Sequence, residues 1–441
     1  MVKRFTASVA LVLALALLTS TGVVAWQGAP AIKPADSTAT LNATDDVLKT
    51  VSRMRELAIK EPVKSAFKTR DEIEQSVMRD LDESTPPAEF DASQKTLVKL
   101  GLVPQNFQLR DYVVKLLREQ VAGFYEPKTK EFYLAAWLPL AEQKKVMAHE
   151  LMHALQDQHF NLRRFEKWPK GDADAELAAH ALVEGEATLI MIIYDLEQSG
   201  LRGIDITKID SLTERLLDND AEASDPNYPV LSAAPRVLRE NLQFPYIYGA
   251  GFTQAVLKNG SWHGLDAAYT TLPASSEQIM HPEKYLAHDM PVKFALSDLS
   301  ATLGKDWKRA DEDVNGEFGY FVILSEFLPK FRARAAAAGW GGDGYAFYEN
   351  RASGASLLAQ YTTWDTPADA REFFTAYSER SEQRYKLKHD TDDKVTRRVY
   401  ETSEGLVSIE LRDKDVVMIE GAPSREQLGH LEARLWQSKK K

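Results

Sequence analysis

The chain has no cysteine in its 441 residues. Disulfides, thiolate zinc sites and thiol nucleophiles are therefore excluded. An excess of positive charge is also missing: 54 Lys and Arg stand against 65 Asp and Glu, a net charge of −11. That argues against a nucleic-acid partner, because phosphate binding needs clustered cations. After the N-terminus no segment reads as apolar enough to span a membrane. What is present is an ordinary globular balance, 44% hydrophobic and 27% charged. The length suits two or three domains, or one large unit with additions. No pattern sets the oligomeric state.

At the N-terminus Lys3 and Arg4 precede an uncharged run from Phe5 to Trp26. Small residues at Val23-Val24-Ala25 suit cleavage after Ala25, so residues 1–26 read as a signal peptide. The run is also long enough for an uncleaved membrane anchor. Either reading exports the rest, to a periplasmic or extracellular place. Residues 27–44, rich in Pro, Ala, Ser and Thr, read as a flexible linker. Residues 45–88 read as two helical stretches divided at Pro62, either packed on the body or crossing its cleft.

The most informative stretch is residues 141–160, AEQKKVMAHELMHALQDQHF. It contains His149-Glu150-Leu151-Met152-His153, and Met147, Leu151, Ala154 and Leu155 give it an apolar side. On a helix, residues four apart lie one above the other. His149 and His153 can therefore hold one metal ion. Glu150 then sits beside the ion, where it can take a proton from metal-bound water. Such a site needs a third protein ligand and an open position. Two histidines, a carboxylate and water suit a single zinc ion.

Residues 172–198 read as a long apolar helix with Glu184-Gly185-Glu186-Ala187 at its middle. Charges in so apolar a helix are costly unless paired or metal-bound. Glu184 is the expected third ligand. His180, one turn earlier, is expected close by, and Gly185 marks a close helix approach. Glu186, about 160° around the helix from Glu184, is expected to pair with a base or to accept a hydrogen bond from a ligand histidine. His159 is the other candidate ligand, ten residues after His149. It would need the chain to turn at Gln156, which a glycine would favour and glutamine does not.

Residues 124–134 read as a β-hairpin just before the motif helix, with a strand edge that can pair with an extended peptide. The site also needs a donor to stabilise a developing oxyanion. Tyr248, Tyr125 and His281 are the available candidates, His281 lying in SSEQIMHPEKY. From Trp340 onward the chain reads as hairpins and helices without a catalytic cluster. The expected architecture is α+β and mostly helical. Its divisions are residues 89–331 for the catalytic body and 332–441 for a small C-terminal α+β accessory region.

These residues resemble the zincin metallopeptidases, in particular the gluzincin group. There H-E-x-x-H is joined by a glutamate on a second helix, often within N-E-G-x-A. The matching residues are His149, Glu150, His153 and Glu184, with Val183 where that group has asparagine. The chain also resembles an uncharacterised bacterial family of exported zincin-like proteins over about residues 89–421. That likeness rests on EQVAGFYEPKTKEFYL, AHELMHALQDQHF, ALVEGEAT, SSEQIMHPEKY and the WDTPADAREFF region. The resemblance implies an exported zinc peptidase acting on peptides or proteins. It leaves the oxyanion donor unassigned among Tyr248, Tyr125 and His281. A zincin-fold binding or assembly factor of the cell envelope is the other expectation.

Overall fold

The structure, a computed structural model, describes residues 34–120, 123–135, 140–166, 168–220, 228–387 and 395–440. The N-terminal run of residues 1–26 lies outside the described residues. The first described element is helix α1 (Pro34–Arg55), which starts inside the stretch expected to be a linker and continues through the start of the segment expected to be helical. Strand β1 (Lys64–Lys68) follows, then helices α2 (Arg70–Ser84), α3 (Pro87–Leu100) and α4 (Leu109–Gln120). The sequence reading gave helix to β1. Its boundary is set by a capping box in which Thr69 and Glu72 satisfy each other's backbone N–H groups, so a helix starts after Thr69.

Strands β2 (Gly123–Glu126) and β3 (Glu131–Ala135) form the expected hairpin. β1 pairs with β3 in parallel, so β3 is central and β2 is a sheet edge. The motif helix α5 (Leu140–Phe160) packs beside it. Val47, Leu48 and Val51 of α1 share one core with Phe132, Met147, Leu151 and Leu155. Residues 45–68 are thus packed into the body around the motif helix.

Helix α6 (Ala173–Gln198) is capped by the Asp172 side chain, which accepts from the Ala175 N–H. By length and composition it could cross a membrane, contrary to the expectation that no later segment would. Of its most apolar window, 89% is buried inside the fold, so here the apolar surface is core. Helices α7 (Leu212–Asp220) and α8 (Pro229–Ser232) lead to α9 (Arg236–Ala268), whose longest contact is with α6. The two touch at glycines. A Cβ on Gly185 would lie 2.0 Å from the Gly249 carbonyl carbon, and one on Gly249 would lie 2.1 Å from the Ala181 carbonyl oxygen. The close approach expected at Gly185 is present, with Gly249 as its partner. Ser261, at φ 56° and ψ −169°, breaks α9. The chain after the break carries Trp262, Asp266 and Tyr269 to α1 and α5.

Short helices α10 (Ser276–Met280) and α11 (Pro282–Leu286), strand β4 (Phe294–Ala295) and α12 (Ser300–Leu303) connect to the second part. This is a six-stranded antiparallel sheet. Its strands are β5 (Trp307–Asp313), β6 (Trp340–Asn350), β7 (Ser356–Trp364), β8 (Arg397–Thr402), β9 (Gly405–Arg412) and β10 (Asp415–Ala422), in the order β5-β6-β7-β10-β9-β8. Helices α13 (Gly316–Ser325) and α14 (Lys330–Ala337) lie between β5 and β6 in the chain. The sheet therefore takes in a strand that precedes residue 332. Period-two alternation assigns its faces. Val416 and Met418 of β10 join the main core with Phe373 and Tyr377 of α15 (Pro367–Tyr385). Val417 and Ile419 join Leu428, Leu431 and Leu435 of α16 (Arg425–Leu435) on the other face. A last strand, β11 (Lys439–Lys440), pairs with β4.

Candidate metal centre

α5 and α6 bring together the three side chains expected to be ligands. His149 Nε2 lies 3.1 Å from Glu184 Oε2 and 3.0 Å from His153 Nε2. His153 Nε2 is 3.4 Å from the same carboxylate oxygen. Zinc held tetrahedrally by nitrogen and oxygen at about 2.0–2.1 Å would set its ligands about 3.3 Å apart. The three separations bracket that value. All three residues are at most 1% exposed. Glu184 Oε1 and His149 Nδ1 have no hydrogen-bond partner. Three donors converging in a buried place, with no lysine or arginine beside them among the described residues, fit a cation. The chain therefore carries a His149-Glu150-x-x-His153 and Glu184 triad of the zincin kind, on two contacting helices.

The electrostatics follow from this packing. Burial alone would raise the Glu184 carboxyl, but His153 and His149 outweigh it and hold it low. Burial would lower His153, and Glu184 and Glu150 outweigh that and hold it up. His149 is lowered, chiefly by burial. Burial pushes Glu150 up to about 8, with His153 pulling the other way. The backbone N–H of Tyr125 on edge strand β2 donates to Glu150 Oε2 at 2.8 Å. The general-base candidate thus sits on the strand edge considered for peptide pairing.

Gln156, one turn after His153, orients that ring. Its Nε2 lies 2.9 Å from the Val183 carbonyl and 2.8 Å from Glu186 Oε2. Both are acceptors, so the amide nitrogen must face them and Oε1 must face His153. Oε1 is 2.7 Å from His153 Nδ1. Nδ1 therefore carries a proton, which leaves Nε2 as the ring atom available to a metal. Glu186 pairs with a base, as expected, and that base is Arg55 of α1. Its link to a ligand histidine runs through Gln156. Gln156, where a His159 ligand would have required a turn, is therefore an orienting residue. Its spacing of three from His153, on the same helix face, was the available signal.

Of the other candidates, His180 lies near the ligands as expected, one turn before Glu184 and within reach of its charge, and the rest make their side-chain contacts elsewhere. His159 Nε2 is 2.8 Å from the Ala58 carbonyl oxygen. His180 is buried, with no hydrogen-bond partner on either nitrogen, and its ring lies against Phe165. Burial lowers it to about 4, although Glu184 acts to raise it. Tyr125 donates its hydroxyl to Asp157 Oδ2 at 3.0 Å. His281 Nε2 lies 2.9 Å from Glu317 Oε1 at the junction of α10 and α11. Tyr248 accepts from Arg334 Nη2 at 2.8 Å and packs against Phe244 and Phe318. None of these contacts of His281 and Tyr248 is with the triad.

Tyr246 faces the triad instead. Its ring stacks on His149 with centroids 5.9 Å apart, and its hydroxyl hydrogen-bonds Glu184. Residues two apart on a helix differ by about 200°, so Tyr246 and Tyr248 cannot both face α5 and α6. Burial first, then Glu184 and Glu150, hold the Tyr246 phenol protonated far above neutral pH.

A family model described as "Domain of unknown function (DUF8575)" matches residues 302–432, less than half of the chain. Those residues are the sheet unit, from the approach to β5 through most of α16. No curated protein and no solved structure matches the chain.

Proposed function

We propose that the chain is an exported zinc-dependent metallopeptidase. The observation that carries the reading is the convergence of His149 Nε2, His153 Nε2 and Glu184 Oε2 with Glu150 next to them in the chain. A bound zinc ion would act as a Lewis acid and make water nucleophilic near neutral pH. His149, His153 and Glu184 would hold it. Glu150, fixed through Oε2 by the Tyr125 N–H, takes a proton at its other oxygen and returns it to the leaving amine. Tyr246, protonated and beside Glu184, is the phenol placed to turn its proton from Glu184 to a developing oxyanion, the role for which Tyr248, Tyr125 and His281 were candidates. The N-terminal run after Lys3 and Arg4 supports export, by signal peptide or by anchor.

The test is zinc content and peptide-bond cleavage in wild type and Glu150→Gln, with unfolded proteins and peptides as substrates. One zinc per chain in both, with cleavage in wild type alone, is the expected result. General-base loss should cost about 10²–10⁴-fold in rate. A second reading has one observation in its favour. His149, Glu150, His153, Glu184 and Tyr246 are all at most 2% exposed. So enclosed a centre also suits a non-catalytic zincin-fold binding or assembly factor. Zinc in both proteins with cleavage in neither would favour that reading.

A further inference from the structure

Arg55 closes α1 and is fully buried, 131 residues before its partner Glu186. Its guanidinium also pairs with Asp266 and lies 4.7 Å over the Trp262 ring. Glu186 takes hydrogen bonds from Arg55, from the Tyr269 hydroxyl and from Gln156. Gln156 in turn holds the His153 ring. The Tyr269 ring stacks on Phe160 at 4.0 Å, which closes the network at the end of α5.

We infer that α1 is a working part of the metal centre, with Arg55 as a positioning residue that holds His153 through Glu186 and Gln156. The inference rests on the reading of His153 as a metal ligand. Buried ion pairs seldom stabilise a fold more than well-packed apolar residues would, and this one ends on the side chain that holds a candidate ligand histidine. The place of Glu186 gives it a more specific task. Paired with Arg55, its carboxylate accepts from the Gln156 amide nitrogen and so turns the amide oxygen to His153 Nδ1. Without Arg55 the carboxylate loses the partner that fixes it, the Gln156 amide loses a fixed acceptor, and the His153 ring loses the contact that orients it. Asp266, partly exposed, cannot replace Arg55 because it carries the same charge as Glu186.

The test compares wild type with Arg55→Met, Arg55→Lys and the double variant Arg55→Met/Glu186→Met, all in the full chain. Two quantities are read: zinc affinity by chelator competition, and thermal melting. Losing an orienting partner typically weakens metal binding about 10–100-fold. Arg55→Met should show that loss. Arg55→Lys should recover most of the affinity. The double variant carries no bare charge and should melt near wild type, yet bind zinc more weakly. A double variant with wild-type zinc affinity, or an Arg55→Lys protein that binds zinc no better than Arg55→Met, would overturn the inference. If wild type takes up no zinc, the metal reading fails, and this inference with it.

Discussion

The Arg55–Glu186 and Arg380–Glu420 pairs are both fully buried, yet they sit in different surroundings. Glu420, on β10, takes hydrogen bonds from Arg380 at 2.9 Å, Tyr377 at 2.6 Å and Tyr385 at 2.9 Å. Arg380 also donates to the Leu100 carbonyl at the end of α3. That network ties the sheet and α15 to α3 and runs on through Gln360 to Asn315 and Tyr320, and none of these contacts is with the triad. The Glu186 network continues through Gln156 to an imidazole whose other nitrogen faces His149 and Glu184. Similar chemistry thus serves cohesion in the sheet half and orientation in the helical half. What separates the two is where the last hydrogen bond ends.

The sharpest way to break this contrast is to remove one carboxylate from each network. Glu420→Ala should cost about 3–5 kcal/mol in denaturant unfolding, since it leaves Arg380 buried without its partner. Zinc affinity should be unchanged. Glu186→Ala should cost a comparable amount and also weaken zinc binding. Equal zinc loss in the two variants would dissolve the distinction.

A smaller effect is expected at the α6–α9 crossing. Gly185→Ala puts a methyl group where Gly249 backbone lies, and overpacking of this kind typically costs about 1–3 kcal/mol. Because Glu184 and Tyr246 stand on those two helices, zinc affinity should fall with stability. Zinc binding that survives a clear loss of stability would separate the crossing from the site.

A further test is pH. Burial pushes the Asp174 carboxyl up to about 7, with Ser276 partly offsetting it. The folded group therefore holds a proton that the unfolded chain releases near pH 4. Its stabilising contribution is full below that pH and is lost as pH rises to about 7, at up to about 1.4 kcal/mol per pH unit. Asp174→Asn should flatten that slope in urea midpoints measured from pH 4 to 8. An unchanged slope would mean that other groups carry it. Least of all, Thr69→Ala should cost about 1 kcal/mol through the α2 cap, without effect on zinc.

The metal centre was legible because its signal is local: a spacing of four on one helix, and a carboxylate in a helix too apolar to hold it unpaired. The β2–β3 hairpin and strands β8 to β10 were legible for a similar reason, their turns standing close to the chain segments they join. Other features depend on contacts distant in sequence. β1, Lys64–Lys68, is a strand because β3 lies beside it. β5 carries Asp311, Glu312 and Asp313, poor strand formers, and is held by β6. The choice of Tyr246 over Tyr248 depends on the phase of α9, which runs through Pro245. Arg55 could not be read as part of the site at all, because nothing near it in sequence points to Glu186.

The most direct test of the central claim is zinc affinity in wild type, Glu184→Ala and His159→Ala. The account expects one zinc per chain in wild type and in His159→Ala, and loss of binding in Glu184→Ala well beyond the change in any orienting variant. Full zinc occupancy in Glu184→Ala, or its loss in a folded His159→Ala, would contradict the assignment of the third ligand and the mechanism built on it.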